Sequence, residues 1–585
     1  MSGVLDIEQF RSLLGLIYGP DAASEWESRL VQLADEFRLK HSFRNLSPLS
    51  EKDVILITYA DQFQEVGAAP LQSLLTFFKK NLEEFISGIH ILPFFPFTSD
   101  DGFSVSDYDQ VNPVFGSWQD ILRIGQESRL MVDAVLNHCS SRHRWFERYL
   151  AGDPHYANYF IAVDASSDLS RVVRPRALPL LTTFESFNGP RHVWTTFSPD
   201  QIDLNFAEPA VLFEGIRILL NYIDHGAQII RLDAIAYLWK EIGTTCIHRP
   251  QVHWMIQLMR LLLDWAAPGV QLITETNVPH IDNISYFGDG ANEAGMVYNF
   301  ALPPLVLHSL YQGSASQLTN WAASLKAPSD QTAFFNFLAS HDGIGLNPVR
   351  GILSDNDFDA LVNGCYARGG LVSYKSNSDG SQTPYELNIN YFDAAGDPSG
   401  LLGSDLHSKR LLTAHALLFS LAGMPGIYVH SLLGSRGWPE GAKYTGHKRT
   451  INRQKFSLPE LQAELDDRNT LRNRVFFGMK KLLMTRRKFP QLSPFAGQEV
   501  VKIKPELFTV VRHCTGMAPL VCVLNFSQDK QSFPGLALRE YLGGSWQDVL
   551  NGSEFGSTSQ TIGLSPYQTR WLTVEGEMND SAKIR

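Results

Sequence analysis

Short apolar runs rich in β-branched residues recur along the chain and end abruptly in polar or charged residues, as parallel strands buried on both faces do. Eight runs fit this pattern: Val54–Ala60, Gly88–Phe94, Leu130–His138, Gln228–Ala234, Gln271–Thr276, Met296–Phe300, Thr332–Asp342 and Pro425–Val429. Between most of them apolar residues recur at the three- and four-residue spacing of helices, as in Leu71–Phe85 and Trp254–Trp265. Eight strands alternating with helices predict an α/β chain folded as a (β/α)8 TIM barrel, with its chemistry at the C-terminal ends of the strands.

Two intervals are too long for one helix each. His138 to Gln228 is rich in aromatics, Pro and His, and Asp342 to Pro425 runs through Gly, Ser, Asn and Asp between Lys375 and Ser404. Both leave the C-terminal face of the barrel, so they are expected to wall and cover a pocket as subdomains inserted near 139–227 and 343–410. Residues 5–40 read as amphipathic helix, which puts an N-terminal helical extension over 1–50 ahead of a catalytic barrel over 51–490. Leu507–His513, Leu520–Ser527 and Thr569–Glu575 alternate as short strands, so 491–585 is expected to be a C-terminal antiparallel β domain.

Composition removes several function classes. Lys and Arg number 50 against 61 Asp and Glu, a net charge of -11, which argues against nucleic acid as a partner. Five scattered cysteines (Cys139, Cys246, Cys365, Cys514, Cys522) form neither a CxxC pair nor a disulfide framework, so a reducing cytoplasm is the default location. Met1 to Phe10 carries Asp6 and Glu8 and no basic stretch before an apolar run, so no signal peptide is expected. The most apolar stretch, Leu411–Val429, is interrupted by His415, Ser420, Gly423 and Pro425 and fits a buried helix and strand, so no membrane partner is expected. No HExxH motif or Cys/His cluster has metal-ligand spacing, so neither a metal nor an organic cofactor is expected.

The candidate chemistry lies at the strand ends. In Ile230-Arg231-Leu232-Asp233-Ala234 the two-residue period places Arg231 and Asp233 on one inward face, where the guanidinium holds the carboxylate ionised, as a nucleophile requires. A structural ion pair would read the same way. The fifth run ends in Thr274-Glu275, the seventh in His341-Asp342, and the third carries Asp133 and Asn137-His138. One such acid can cap the next helix, whereas three carboxylates and two histidines converging on one barrel mouth point to a reaction centre. Two converging carboxyl groups suit glycoside chemistry, with a separation of about 5–5.5 Å for a covalent intermediate and about 6.5–9.5 Å for an inverting water.

Four short segments, Asp133-Ala-Val-Leu-Asn-His138, Arg231-Leu-Asp233, Thr274-Glu275 and His341-Asp342, resemble those of the α-amylase family of glycoside hydrolases. Its sucrose phosphorylase group is indicated by Ile57-Thr-Tyr-Ala-Asp61, His90-Ile-Leu-Pro-Phe-Phe95, Asp100-Asp-Gly-Phe103, Arg174-Pro-Arg176, Gly243-Thr-Thr-Cys-Ile-His248 and Ile451-Asn-Arg453. The resemblance implies that Asp233 is the nucleophile, Glu275 the acid and then the base, and Asp342 the stabiliser of the oxocarbenium-like transition state. It further implies that Asp100, His138, Arg231, His341 and Arg453 hold the glucosyl unit, with Phe103 stacking near its ring. Phe103 as a core aromatic and Arg453 as the partner of a structural acid stand beside those roles. Some amylases bind calcium through the asparagine matching Asn137; the phosphorylase group generally does not.

Inorganic phosphate as co-substrate must approach a site crowded with carboxylates, so cations must offset the repulsion. Arg174 and Arg176, stiffened by Pro175, are the candidates, with Tyr237 and His248 assisting; a solvated pair of loop arginines is the alternative. The chain departs from simple sucrose phosphorylases in residues 1–50, in the loop Ala177–Thr182, in Tyr385-Glu386 and in Asn347-Pro-Val-Arg350. These features look more like relatives that phosphorolyse glucosylglycerate or glucosylglycerol. A glycerate carboxylate calls for Arg350 or Lys375, and glycerol for a partner such as Glu386. The resulting expectation is a cytoplasmic phosphorylase acting on a small α-glucoside and phosphate, as a monomer or a homodimer. The alternatives are a sucrose or sucrose 6'-phosphate phosphorylase, a hydrolase or transglucosidase with the same three acids, and a non-catalytic binding protein, which should lack one of them.

Overall fold

The computed structural model describes residues 4–41, 47–164, 166–176, 178–377, 381–398, 403–543, 545–555 and 560–574. All eight expected strands form: β1 (Ile55–Thr58), β2 (Gly88–Ile91), β3 (Arg129–Ala134), β4 (Ala227–Leu232), β5 (Gln271–Thr274), β6 (Met296–Tyr298), β7 (Ala333–Asn336) and β8 (Met424–Tyr428). Each pairs in parallel with the next, and β8 pairs with β1 to close the barrel. The strands stop short of the apolar runs at the C-terminal end, β7 most of all, because the backbone leaves the ladder where side chains turn into the mouth. Asp233 and Glu275 therefore follow their strands directly, while Asp342 sits well beyond β7. The helices Pro70–Asn81, Pro250–Ala266 and Ser404–Ser420 cover the outside and bury the apolar faces that their spacing defines.

The extension is two helices, not one: α1 (Ile7–Tyr18) and α2 (Pro20–Lys40). Gly19 has a φ of 85° and Pro20 opens α2, so the chain turns where glycine tolerates the left-handed region and proline starts a helix without losing a bond. The pair is clamped to the barrel's outer helices: the Arg38 guanidinium lies 3.8 Å from the Trp265 ring centroid, and the Trp265 indole donates to Asp35 at 2.6 Å. The Tyr18 hydroxyl donates to the Phe206 carbonyl at 2.9 Å.

The first long interval carries the hairpin Leu181–Ser186 and Gly189–Trp194, and the pair His138–Ser140 with Gln201–Asp203. Ala177, at the start of the departing loop, lies outside the described residues. The second interval folds into a three-stranded sheet of Ile344–Gly345, Gln382–Asn388 and Leu371–Ser376. Beyond the barrel, a six-stranded antiparallel sheet includes Leu507–His513, Leu520–Asn525 and Thr569–Val574; Glu575 lies outside the described residues. Arg512 joins that sheet to the barrel by donating to the Ser420 carbonyl at 2.9 Å and the Ser493 carbonyl at 2.8 Å. No helix among the described residues is long and apolar enough to cross a membrane.

A buried ion pair ties the first interval to the barrel mouth. Lys240 Nζ lies 2.7 Å from Asp203 Oδ2 and donates to Asn137 Oδ1 at 2.7 Å, and Asp203 also accepts from the Thr196 amide and hydroxyl. Burial pulls the ammonium below its ordinary range, and Asp203 opposes that pull. Asn137, the asparagine through which some amylases bind calcium, thus accepts from a lysine here. Lys240→Met would leave the Asp203 carboxylate buried without a counter-charge, a loss of about 3–5 kcal/mol. Thermal unfolding of that variant should begin several degrees lower, and a midpoint within about 1 °C of the parent would contradict the assigned role.

Candidate active site

The floor of the barrel mouth is a chain of charges set by strand register. Asp133 on β3 stands directly beside Arg231 on β4, and Ile273 on β5 stands on Arg231's other side, which puts Glu275 one pleat further up. His90 on β2 reaches Asp133 Oδ2 at 2.7 Å. Arg231 donates to Asp133 and to Asp233 Oδ1, the latter at 2.7 Å, and its second terminal nitrogen lies 3.7 Å from Glu275 Oε2. Burial works against ionisation of Asp133, but Arg231 and His90 hold its carboxyl below the usual range.

Asp233 and Glu275 behave as a pair. Burial raises both pKa values; Arg231 opposes the rise, and a neighbouring carboxylate adds to it, Glu275 for Asp233 and Asp342 for Glu275. One proton between two groups so placed relieves their repulsion. The 2.7 Å contact with Arg231 favours charge on Asp233, and Glu275 Oε2 accepts from the Ala234 amide at 3.0 Å. Ala234 holds a φ of 49°, a left-handed turn for a residue with a side chain, and that turn aims its N–H at Glu275.

Asp342 closes the triangle from above. Burial opposes its ionisation, but Arg449 Nη1 at 2.5 Å, together with His341 and Arg453, holds it below the ordinary carboxylate range. The inner cavity lined by Asp233, Glu275 and Asp342 measures about 80 Å³ and opens into an outer one of about 530 Å³. Asp100, Arg176, Tyr385 and Arg449 line both.

Most of the expected sugar-site residues meet here. Phe103 stacks on His341 with centroids 4.7 Å apart and planes 7° from parallel. His138 donates from Nε2 to the Phe103 carbonyl at 2.9 Å, and burial pulls its pKa to about 4, so the ring is neutral. Burial takes His341 down to about 3. Arg453 donates to the His341 carbonyl at 2.9 Å and pairs with Asp101. Asp100 accepts from Arg176 at 3.0 Å and from Gln201 at 3.2 Å, and Arg176, Arg449 and Arg453 outweigh burial to keep it ionised. Asp100 and Asp101 both have positive φ, and Gly102 follows at 111°, where an added Cβ would lie 2.6 Å from the Pro93 carbonyl oxygen. This strained loop is what turns Asp100 into the cavity.

The phosphate and acceptor candidates divide. Arg176 enters the site, whereas Arg174 is exposed and, among the described residues, lines neither cavity. Tyr237 backs the wall, edge-on to Phe197 at 5.5 Å. His248 is held elsewhere by a 2.8 Å hydrogen bond to Tyr286. Arg350 points to the surface against Phe358 at 4.8 Å and donates to Asn347; neither it nor Lys375 lines either cavity. Glu386 lines the outer cavity, but its carboxylate is occupied by one edge of Arg449, the Nε and a terminal nitrogen, at 3.0 and 2.6 Å. Arg449, Gln201 and Asn277 are site residues that sequence reasoning missed. Arg449 had a signal, being one helical turn before Arg453; the two amides had none.

Residues 80–345 match the model of the α-amylase catalytic domain, and residues 507–573 that of the amylosucrase C-terminal domain. A glucosylglycerate phosphorylase of Spirochaeta thermophila is 46% identical over 97% of this chain and 98% of its own. Another, of Allomeiothermus silvanus, is 44% identical over 96% of this chain and 97% of its own. The crystal structure of sucrose 6F-phosphate phosphorylase from Thermoanaerobacter thermosaccharolyticum superposes with a TM-score of 0.72 at 23% identity, covering 89% of this chain and 98% of that one, and shows the shared fold. The chain therefore belongs to the α-amylase family of glycoside-acting enzymes, within its sucrose phosphorylase group.

Proposed function

We propose that the chain is a retaining phosphorylase that transfers the glucosyl unit of glucosylglycerate to inorganic phosphate, releasing glycerate and α-glucose 1-phosphate. The observation that carries this reading is Arg176 on the wall of a cavity otherwise dominated by carboxylates. An enzyme that delivers neutral water has no use for that charge, while an entering phosphate requires it. The names of two relatives that are 46% and 44% identical to this chain over nearly its full length point to the same donor.

In the first displacement Asp233 attacks the anomeric carbon while Glu275 gives its proton to the departing glycosidic oxygen, and Asp342 and Arg231 balance the charge that develops on the ring and the nucleophile. In the second, Glu275 takes the proton from the incoming phosphate hydroxyl, whose oxygen bonds to the anomeric carbon and expels Asp233. Phosphate is a co-substrate, and no cofactor takes part in either step. The reading places the enzyme in the cytoplasm, to which its five unpaired thiols are suited.

Release of glucose 1-phosphate from glucosylglycerate, glucosylglycerol, sucrose and sucrose 6'-phosphate, each with and without phosphate, tests the reading. The highest kcat/KM should fall on glucosylglycerate; a preference for sucrose, or equal glucose release with and without phosphate, would refute it. Asp233→Asn should be inactive on every donor, and Glu275→Gln should retain more activity on α-glucosyl fluoride than on the natural donor, because fluoride needs little protonation. Arg176→Ala should lower phosphate-dependent turnover roughly 10- to 150-fold at subsaturating phosphate and raise the ratio of free glucose to glucose 1-phosphate. Arg174→Ala should leave that ratio unmoved.

The pH profile follows from the shared proton. A second proton neutralises Asp233 and causes the acid limb; loss of the only proton deprives Glu275 of its acid function and causes the alkaline limb, displaced above the ordinary carboxylate range by burial. Glutamine cannot lose that proton, so kcat/KM of Glu275→Gln on α-glucosyl fluoride should lack the alkaline limb. An unchanged limb would assign it to another group.

A further inference from the structure

Where the helices Ser404–Ser420 and Leu471–Arg486 meet the C-terminal sheet, a separate cavity of about 400 Å³ opens. None of its described lining residues lines either chamber of the barrel mouth. Small-molecule sites form preferentially at such seams between domains. The wall is aliphatic, with Leu412 and Ala416 from the first helix, Leu482 from the second and Leu550 from the turn after the strand Trp546–Asp548. Gly478 lets the two helices come together there, since a Cβ would lie 2.6 Å from a Leu412 methyl.

The turn Ser565–Gln568 covers this wall, and the fold holds it in place. Tyr567 has a φ of 51°, a strained conformation for a residue with a side chain. Arg410 donates to its hydroxyl at 2.8 Å, Thr413 donates to its carbonyl at 2.5 Å, and its own amide donates to the Ser527 carbonyl at 3.3 Å. Bonds to both domains thus fix the strained turn, and the cavity is present before a ligand arrives. Thr569, on the same lining, has a buried hydroxyl with no hydrogen-bond partner among the described residues, a group that a ligand's polar atom would satisfy.

Charge decides what fits. The chain has 50 basic residues against 61 acidic ones, yet among the described residues this lining holds two lysines and no carboxylate. Lys481 is exposed and makes no ion pair among the described residues. Lys409 is half-exposed and pairs at 2.7 Å with Asp405, one helical turn before it, a solvent-screened contact that yields readily. Inorganic phosphate would gain nothing from the aliphatic wall, and a sugar, hydroxylated all round, suits it no better. An apolar body with one anionic head uses both the wall and the lysines.

We propose that this cavity binds a free amphipathic monoanion, an alkyl or aryl body bearing one carboxylate, at the seam between the barrel and the C-terminal sheet. The body lies against Leu412, Ala416, Leu482 and Leu550, and the head meets Lys409 and Lys481. Because the ligand touches both domains, it ties the sheet to the barrel helices without entering the active site.

Octanoate below its micellar concentration is the probe, titrated calorimetrically into the intact enzyme beside 1-octanol. One octanoate should bind per chain, at least about tenfold more tightly than octanol, because only the carboxylate makes a charge-assisted contact. Affinity should rise about fourfold for each methylene added between hexanoate and octanoate. Reversing both charges, Lys409→Glu with Lys481→Glu, alters only solvent-facing heads; it should weaken octanoate at least tenfold and leave turnover unchanged. Octanoate should also raise the thermal midpoint of the parent more than that of this variant. Absence of one-to-one binding, octanol bound as tightly as octanoate, or an affinity that the charge reversal does not move overturns the proposal. Binding lost in Arg176→Ala but kept in the lysine variant would put octanoate in the active site and overturn it too.

Discussion

The Arg231 guanidinium lies buried between Asp133, Asp233 and Glu275, and removing that many charges from water costs several kcal/mol per ion unless geometry repays it. The closed barrel supplies the geometry. Parallel register sets Asp133 and Arg231 side by side, and the pleat returns Asp233 and Glu275 to the same face above them. One cation among three acids favours one proton shared between Asp233 and Glu275. A slip of one residue between β3, β4 and β5 would turn these side chains outward and strand their charges.

Above this floor three arginines of the barrel mouth face acids. The strained Asp100-Asp101 loop, the segment holding Arg176 and the turn holding Arg449 and Arg453 meet over the acids, each arginine anchored by a carboxylate of its own. Acids thus crowd the floor, and Arg176 and Arg449 line the rim. The Lys240–Asp203 pair fixes the first insertion to the barrel mouth, and α1, α2 and the C-terminal sheet brace the outer helices away from the site.

The eight strands and the three carboxylates were legible because buried parallel strands leave continuous apolar runs and reaction centres leave polar residues at their ends. The break at Gly19-Pro20 is equally readable, although the amphipathic period runs on across it. Loop chemistry was harder. Arg174 and Arg176 share a motif, and only the backbone course around Pro175 decides which turns inward. Arg350 and His248 looked like acceptor and phosphate ligands by type, yet Phe358 and Tyr286 hold them elsewhere. Gln201 and Asn277 reach the cavity only because distant segments fold over it, and no local pattern marks such residues.

Trapping the glucosyl unit on Asp233 would decide whether that carboxylate is the nucleophile. Glu275→Gln, given α-glucosyl fluoride without phosphate, should form the covalent enzyme faster than the missing base allows it to discharge. Acid quenching, proteolysis and mass spectrometry should then find one glucosyl unit on the peptide carrying Asp233. A label on any other carboxylate, or no covalent species while fluoride is released, would contradict the account.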